Sequence, residues 1–212
     1  WQIDSKLLEK FLQENCYLKN GNCFYKKDNR RVFGILLVHI LGYSSNISKI
    51  QKICKKYKIY LVEDAAEAFG AKYKQQFLGS IGVLGCFSFN GNKTITTGSG
   101  GMLVTNNKRL ANLARHLSQQ ARVKSNNFIH DKIGYNYRMS NIHAALGLAQ
   151  LENIKYILKI KKQIAEYYYK KLSKEKSIFF PKHYIDTKSS YWLNTIRVET
   201  NSKKNSTDNI IK

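Results

Sequence analysis

The sequence contains a single proline, Pro181, where average usage of about 5% would supply roughly ten. With Lys, Ile and Asn over-represented, this reads as compositional drift and carries no architectural message. Acidic residues are scarce as well, 14 Asp and Glu against 36 Lys and Arg, for a formal charge of +22. Such a field attracts polyanions of any kind and so names no partner. Most of the excess is lysine at helix-like spacing, the pattern of a solvated surface, and no specific nucleic-acid partner is expected. The four cysteines, Cys16, Cys23, Cys54 and Cys86, include no CxxC pair and lie in apolar or basic contexts. That argues against a zinc site or a disulfide framework and for reduced thiols, with no metal expected. No run of 18 apolar residues exists and the opening WQIDSKLLEKFLQ is charged throughout, so neither a membrane partner nor a signal peptide is expected. The setting is read as cytoplasmic.

What is present is 212 residues, 43% of them hydrophobic, enough for one domain or for a domain plus part of a second. The pattern alternates helix and strand. Ile3–Glu14 carries the apolar stripe of an amphipathic helix, and VFGILLVHIL over 32–41 reads as a strand of a sheet covered on both faces. A helix is predicted over 46–57 with Ile47, Ile50, Ile53 and Cys54 inward, then a strand from Ile59 to Val62 that ends in Glu63-Asp64. A helical turn at Ala65–Phe69 leads to strands at Leu84–Phe89 and Gly101–Thr105 and to helices near 108–120, 141–154 and 158–172. Crossover helices of this kind force parallel pairing, which makes the fold class α/β with a mixed, mostly parallel sheet. SYWLNTIRVET at 190–200 alternates like a strand of another layer, so a boundary is placed between a first domain, 1–175, and the opening of a second, 176–212.

Two constellations could carry chemistry. Glu63-Asp64-Ala65-Ala66-Glu67 closes a strand, and in doubly wound folds ligands collect beyond the carboxyl ends of strands. A helix-capping Asp64 is the plainer reading of the same residues. The second is Ser88-Phe89-Asn90-Gly91-Asn92-Lys93, followed by threonines and Gly98-Ser99-Gly100-Gly101. Residues 61–100 are neutral overall, with Lys72, Lys74 and Lys93 against Glu63, Asp64 and Glu67. A lysine isolated among hydroxyls and glycines suits Schiff-base chemistry with a carbonyl, although a surface lysine beside a loop fits the same pattern. No GxxxxGK[ST] loop is present.

Asp64, the SFNGNKTITTGSGG stretch, and Gly134-Tyr135-Asn136-Tyr137-Arg138-Met139-Ser140-Asn141 with the IHAALGLAQL that follows together resemble the DegT/StrS-type sugar aminotransferases. These are pyridoxal-phosphate (PLP) enzymes of the aspartate-aminotransferase fold. The resemblance implies a partial PLP-binding large domain and the start of a small C-terminal domain. It makes Lys93 the lysine that carries the cofactor as a Schiff base and later moves the proton, Asp64 the partner of the pyridine nitrogen, and Ser88 a donor to the phosphate. Glu67 falls where relatives contact the ring hydroxyl, and Asn136 where they reach the phosphate of the other subunit, which implies a homodimer when full length. His39 and Asn90 belong to the shell that positions these groups. Leu37 replaces a family proline, and Ser99 a family Glu or Gly. The implied reaction passes an amino group from an amino-acid donor, glutamate in most relatives, to a nucleotide-linked keto sugar for surface-polysaccharide or nonulosonic-acid synthesis. The SYWLNTI and NGNK forms are most similar to legionaminic-acid-type members. Family members carry, ahead of the part matching Trp1, a Gly-Thr phosphate loop and a ring-stacking aromatic, so the chain is expected to be a fragment. The alternative is a catalytically inactive remnant serving at most as a binding or dimerising module.

Overall fold

A computed structural model describes residues 1–124 and 127–199. Helix α1, Ser5–Asn15, begins where the Asp4 carboxylate accepts the backbone N–H groups of Lys6 and Leu7. A hairpin follows, β1 (Cys16–Lys19) and β2 (Asn22–Tyr25), joined through Asn20-Gly21 with φ of 48° and 77°. Positive φ at both positions is what the tight turn of a twisted hairpin needs, and Asn-Gly supplies it cheaply. Strand β3, Arg31–Val32, adds to β2, and this small antiparallel sheet is an element that the sequence reading passed over.

The apolar run at 32–41 is therefore not one strand. Val32 belongs to the hairpin sheet, β4 covers only Gly34–Val38, and a 3-10 turn occupies Ile40–Gly42 with Leu41 at φ 58°. Helix α2, Ile47–Tyr57, is capped by the Asn46 side chain and buries Ile47, Ile50, Ile53 and Cys54, as their spacing predicts. Strand β5, Tyr60–Asp64, is followed by turns at 65–70 instead of the expected helical turn. The Asp64 side chain takes the Ala66 N–H, which offers the backbone a local alternative to helix.

A short hairpin of β6 (Lys72–Tyr73) and β7 (Gln76–Phe77) precedes β8 (Leu84–Ser88) and β9 (Gly101–Val104). Helices α3 (Lys108–Leu117), α4 (Asn141–Glu152) and α5 (Ile154–Leu172) come next, then β10 (Ile178–Phe179), β11 (Thr187–Lys188) and β12 (Arg197–Val198). Of the strand expected over 190–200, only Arg197–Val198 forms, paired with β10. The residues before it spend their polar groups on the body of the protein, and β11 returns to pair with β6.

The main sheet has the order β4-β5-β8-β9, the first three parallel and β9 antiparallel, which is the mixed, mostly parallel sheet expected. Along β4 and β5 the side chains alternate in burial. Ile35, Leu37, Leu61 and Glu63 enter the core with α2, while Leu36, Val38 and Tyr60 stay exposed. The sheet is thus covered on one face only among the described residues, and the expectation of two covered faces is corrected. No helix of the described residues is long and apolar enough to cross a membrane.

Candidate active site

The carboxyl end of β5 lies mid-sheet, between β4 and β8, with Val38, Asp64 and Cys86 in register. The period of two sends Glu63 inward and Asp64 to the opposite, open face. Ser88, two residues beyond Cys86, shares that face about 7 Å further along β8. Asp64 is half-buried. Its Oδ1 accepts from Ala66, and Oδ2 has no hydrogen-bond partner among the described residues. The thiol of Cys86 beside it has its pKa pushed up by partial burial and further by the Asp64 charge. The Ser88 Oγ accepts the Asn90 N–H at 3.4 Å and keeps its own proton available.

Glu63, fully buried, holds this edge together. Its carboxylate accepts from His39 Nε2 at 2.9 Å and from the backbone N–H groups of Gly79, Ile81 and Gly82 at 2.8, 2.7 and 2.5 Å. Burial pushes its pKa up, but the His39 hydrogen bond and the Gly82 and Gly79 N–H groups outweigh that and hold it below the ordinary carboxylate value. His39 is equally buried, its Nδ1 has no partner, and its backbone N–H donates to the Asp64 carbonyl. The pair therefore fixes the ends of β4 and β5 to each other and to the 79–82 turn. Close packing of that turn against β8 needs glycine, because a Cβ on Gly85 would lie 1.7 Å from the Gly79 carbonyl oxygen.

Lys93 sits in the loop between β8 and β9. The loop is closed by Thr97 N–H to Phe89 O and Phe89 N–H to Gly100 O, and Gln150 of α4 clasps it from outside with both ends of its amide on Thr96. Gly100, at φ 99°, permits the return into β9. The Lys93 N–H donates to the Asn90 carbonyl, and the exposed Asn90 also accepts the Gly91 N–H through its Oδ1. The lysine is half-buried. Its Nζ makes no hydrogen bond or ion pair among the described residues and rests 4.3 Å from the centre of the Trp192 ring.

The chain matches the family model for the DegT/DnrJ/EryC1/StrS aminotransferases over residues 26–212. The chain belongs to this aminotransferase family. It is 40% identical over 175 residues to the GDP-perosamine synthase of Escherichia coli O157:H7, covering 82% of this chain and 48% of that one. The solved structure of Helicobacter pylori PseC, described as an aminotransferase involved in the biosynthesis of pseudoaminic acid, superposes with a TM-score of 0.80 at 27% identity over 93% of this chain and 50% of that one. An E. coli GDP-4-keto-6-deoxy-D-mannose-3-dehydratase with bound hydrated PLP has the same fold, with a TM-score of 0.79, 23% identity, and 95% and 52% coverage. The chain spans about half the length of the curated relatives it matches.

Within the family frame the expected residues separate into two groups. Asp64 and Ser88 are the last residues of the neighbouring strands β5 and β8, Asn90 and Lys93 lie in the loop after β8, and His39 is tied to this edge by its backbone N–H on the Asp64 carbonyl. Glu67 is near in sequence but engaged, its Oε2 accepting the Leu41 N–H at 2.6 Å and holding that residue at its positive φ. Asn136 stands apart. It is exposed, bridges by its backbone to Gln119 beyond α3, and has no hydrogen bond to any of the others. Glu63, Gln150 and Trp192 fall within motifs that the sequence reading singles out without giving them these contacts. Only Glu63 left a signal, a charge at an inward position of an alternating strand. A cavity of about 590 Å3 lined by Tyr43, Tyr169, His183 and Tyr191 among others is not lined by Asp64 or Lys93.

The donor set suits PLP chemically. An acid oxygen without a partner, a hydroxyl with a free proton and an amine without a hydrogen bond match a protonated ring nitrogen, a phosphate and an aldehyde.

Proposed function

We propose that this chain is the cofactor-binding part of a PLP-dependent aminotransferase that moves an amino group from an amino-acid donor, glutamate, to the keto carbon of a nucleotide-linked sugar. The observation that carries the reading is the placement of Asp64 and Ser88 at the carboxyl ends of adjacent parallel strands, with Lys93 in the loop that follows Ser88. Bound PLP supplies an aldehyde and an electron-withdrawing ring that stabilises charge at the neighbouring carbon. Lys93 Nζ would be the amine that holds the cofactor and the base available to move the donor's α-proton. Asp64 accepts from the ring nitrogen through Oδ2, and Ser88 donates to the phosphate. Glu67 contributes its Oε1 to the ring hydroxyl, since Oε2 is committed to Leu41. Proton transfer within one held complex gains from orientation, which the Glu63–His39 pair supplies by fixing the strand ends.

The substrate class is supported by relatives named for perosamine and pseudoaminic acid, both aminosugar products. A homodimer in which Asn136 serves the partner's phosphate is supported by its exposure and by α4, which is apolar nearly all round yet exposes Ile142, Leu146, Leu148 and Leu151. Residues 1–175 are assigned to the cofactor domain and 176–212 to the start of the second, with 200–212 outside the described residues. A cytoplasmic location goes with reduced thiols.

The test is reductive trapping. The chain is mixed with PLP, reduced with borohydride, digested and mapped by mass spectrometry. Trapping concentrated at Lys93, with the matching absorbance band lost in Lys93→Ala, is the expected result. Label spread evenly over the surface lysines, or a band that survives in Lys93→Ala, overturns the assignment.

A further inference from the structure

The SYWLNTI stretch does more than begin a second domain. Residues 187–192 form a strap across the body of the protein, with β11 paired to β6 and the buried Ser190 hydroxyl donating to the Glu67 carbonyl at 3.5 Å. The strap ends on Trp192, which is 8% exposed. Its Nε1–H donates to the Asn92 carbonyl at 2.8 Å, the residue just before the lysine. Its own carbonyl accepts from Lys161 of α5 at 3.2 Å, which ties the indole to a third element. The Lys93 ammonium lies over the ring face at 4.3 Å from its centre.

We propose that Trp192 is a positioning residue for Lys93. The indole N–H pins the backbone of the loop, and the indole face gives the amine a resting place where it has no other partner. This rests on the assignment of Lys93 made above. A lysine side chain has four rotatable carbons, and a ring face that attracts the cation without consuming its hydrogen-bonding capacity limits its excursions while leaving it free to depart. An aspartate or glutamate in the same place would hold the ammonium more tightly. Neither is present, and the indole is the cationic head group's sole neighbour of this kind among the described residues.

The experiment compares wild type with Trp192→Phe and Trp192→Leu. Proton NMR of the Lys93 side chain reads the contact itself, because protons above an aromatic face shift upfield. The shift is expected in wild type, reduced but present in Trp192→Phe, and lost in Trp192→Leu. Trapping of PLP at Lys93 reads its consequence, falling about tenfold in Trp192→Leu at unchanged circular dichroism and recovering in Trp192→Phe. Absence of the upfield shift in wild type, or trapping in Trp192→Leu as fast as in wild type, overturns the proposal. If Trp192→Leu fails to fold, Trp192→Phe decides: it keeps an aromatic face without the Nε1–H bond, so trapping at Lys93 as fast as in wild type with the upfield shift absent overturns the proposal. Wild type that shows the shift but no trapping at Lys93 removes the catalytic assignment and leaves the contact standing.

Discussion

Glu63 accepts three backbone N–H groups and one imidazole N–H, has no contact with water, and presents those donors with the acceptor they need only while it is ionised. Its folded pKa lies below the ordinary value, so its stabilisation is complete above the usual carboxylate range near about 4.3 and is lost as pH falls through the lower folded value. His39 is the titratable group facing it. Urea unfolding at a series of pH values should show wild type losing stability on acidification more steeply than Glu63→Gln. At neutral pH the variant should be less stable by about 3 kcal/mol, the cost of breaking a buried pair from one side. Equal slopes in the two proteins would contradict an ionised Glu63. At this scale the sequence was most legible where a residue is odd in its surroundings. Lys93 stands out in a neutral, glycine-rich stretch, and Asp64 follows from its place at a strand end. The partners of Glu63 and Lys93 were hidden because His39 and Trp192 reach them from distant segments, and no local spacing encodes such contacts.

Helix α4 meets the lysine loop at two points, the Gln150 clasp and the close approach of Gly147 to Thr97. A Cβ on Gly147 would lie 2.6 Å from Thr97 Cγ2, and Thr97 is buried with its hydroxyl bonded to the Ser99 carbonyl, so it cannot swing away. Gly147→Ala gains about 1 kcal/mol of helix propensity, while overpacking costs about 1–3 kcal/mol. The expected outcome is a lower thermal midpoint together with weaker trapping at Lys93, both measured on the purified variant. A raised midpoint with unchanged trapping would show that the loop yields. Helices α1 and α2 were readable from apolar spacing because that spacing is local, whereas α4, apolar nearly all round, carries no such stripe. The β1–β2 hairpin was missed although Asn20-Gly21 announces it, and the run at 32–41 misled because two sheets share it. Residues 190–196 alternate like a strand but find their hydrogen-bond partners in side chains and loops instead of a ladder.

Among the described residues the main sheet has one face packed on the core and one open face. Leu36 at 62%, Tyr60 at 60% and Leu103 at 44% exposure stand on or beside the strands that also carry Asp64 and Ser88. Parallel sheets are ordinarily covered on both sides, and an apolar surface of this kind binds other apolar surfaces. The isolated chain should therefore enhance the fluorescence of a hydrophobic dye and scatter light increasingly with concentration. Leu36→Glu combined with Leu103→Lys should diminish both without lowering the thermal midpoint, and a chain that stays dark and monodisperse would count against the open face. The bond from Trp192 to Asn92 spans 100 positions of the chain. During synthesis at about 5–20 residues per second, Lys93 leaves the ribosome roughly 5–20 s before the indole that shelters it. For that interval the nascent chain displays the Lys93 amine without its indole cover, because the loop–indole bond forms only after the 100 positions between its partners have been made.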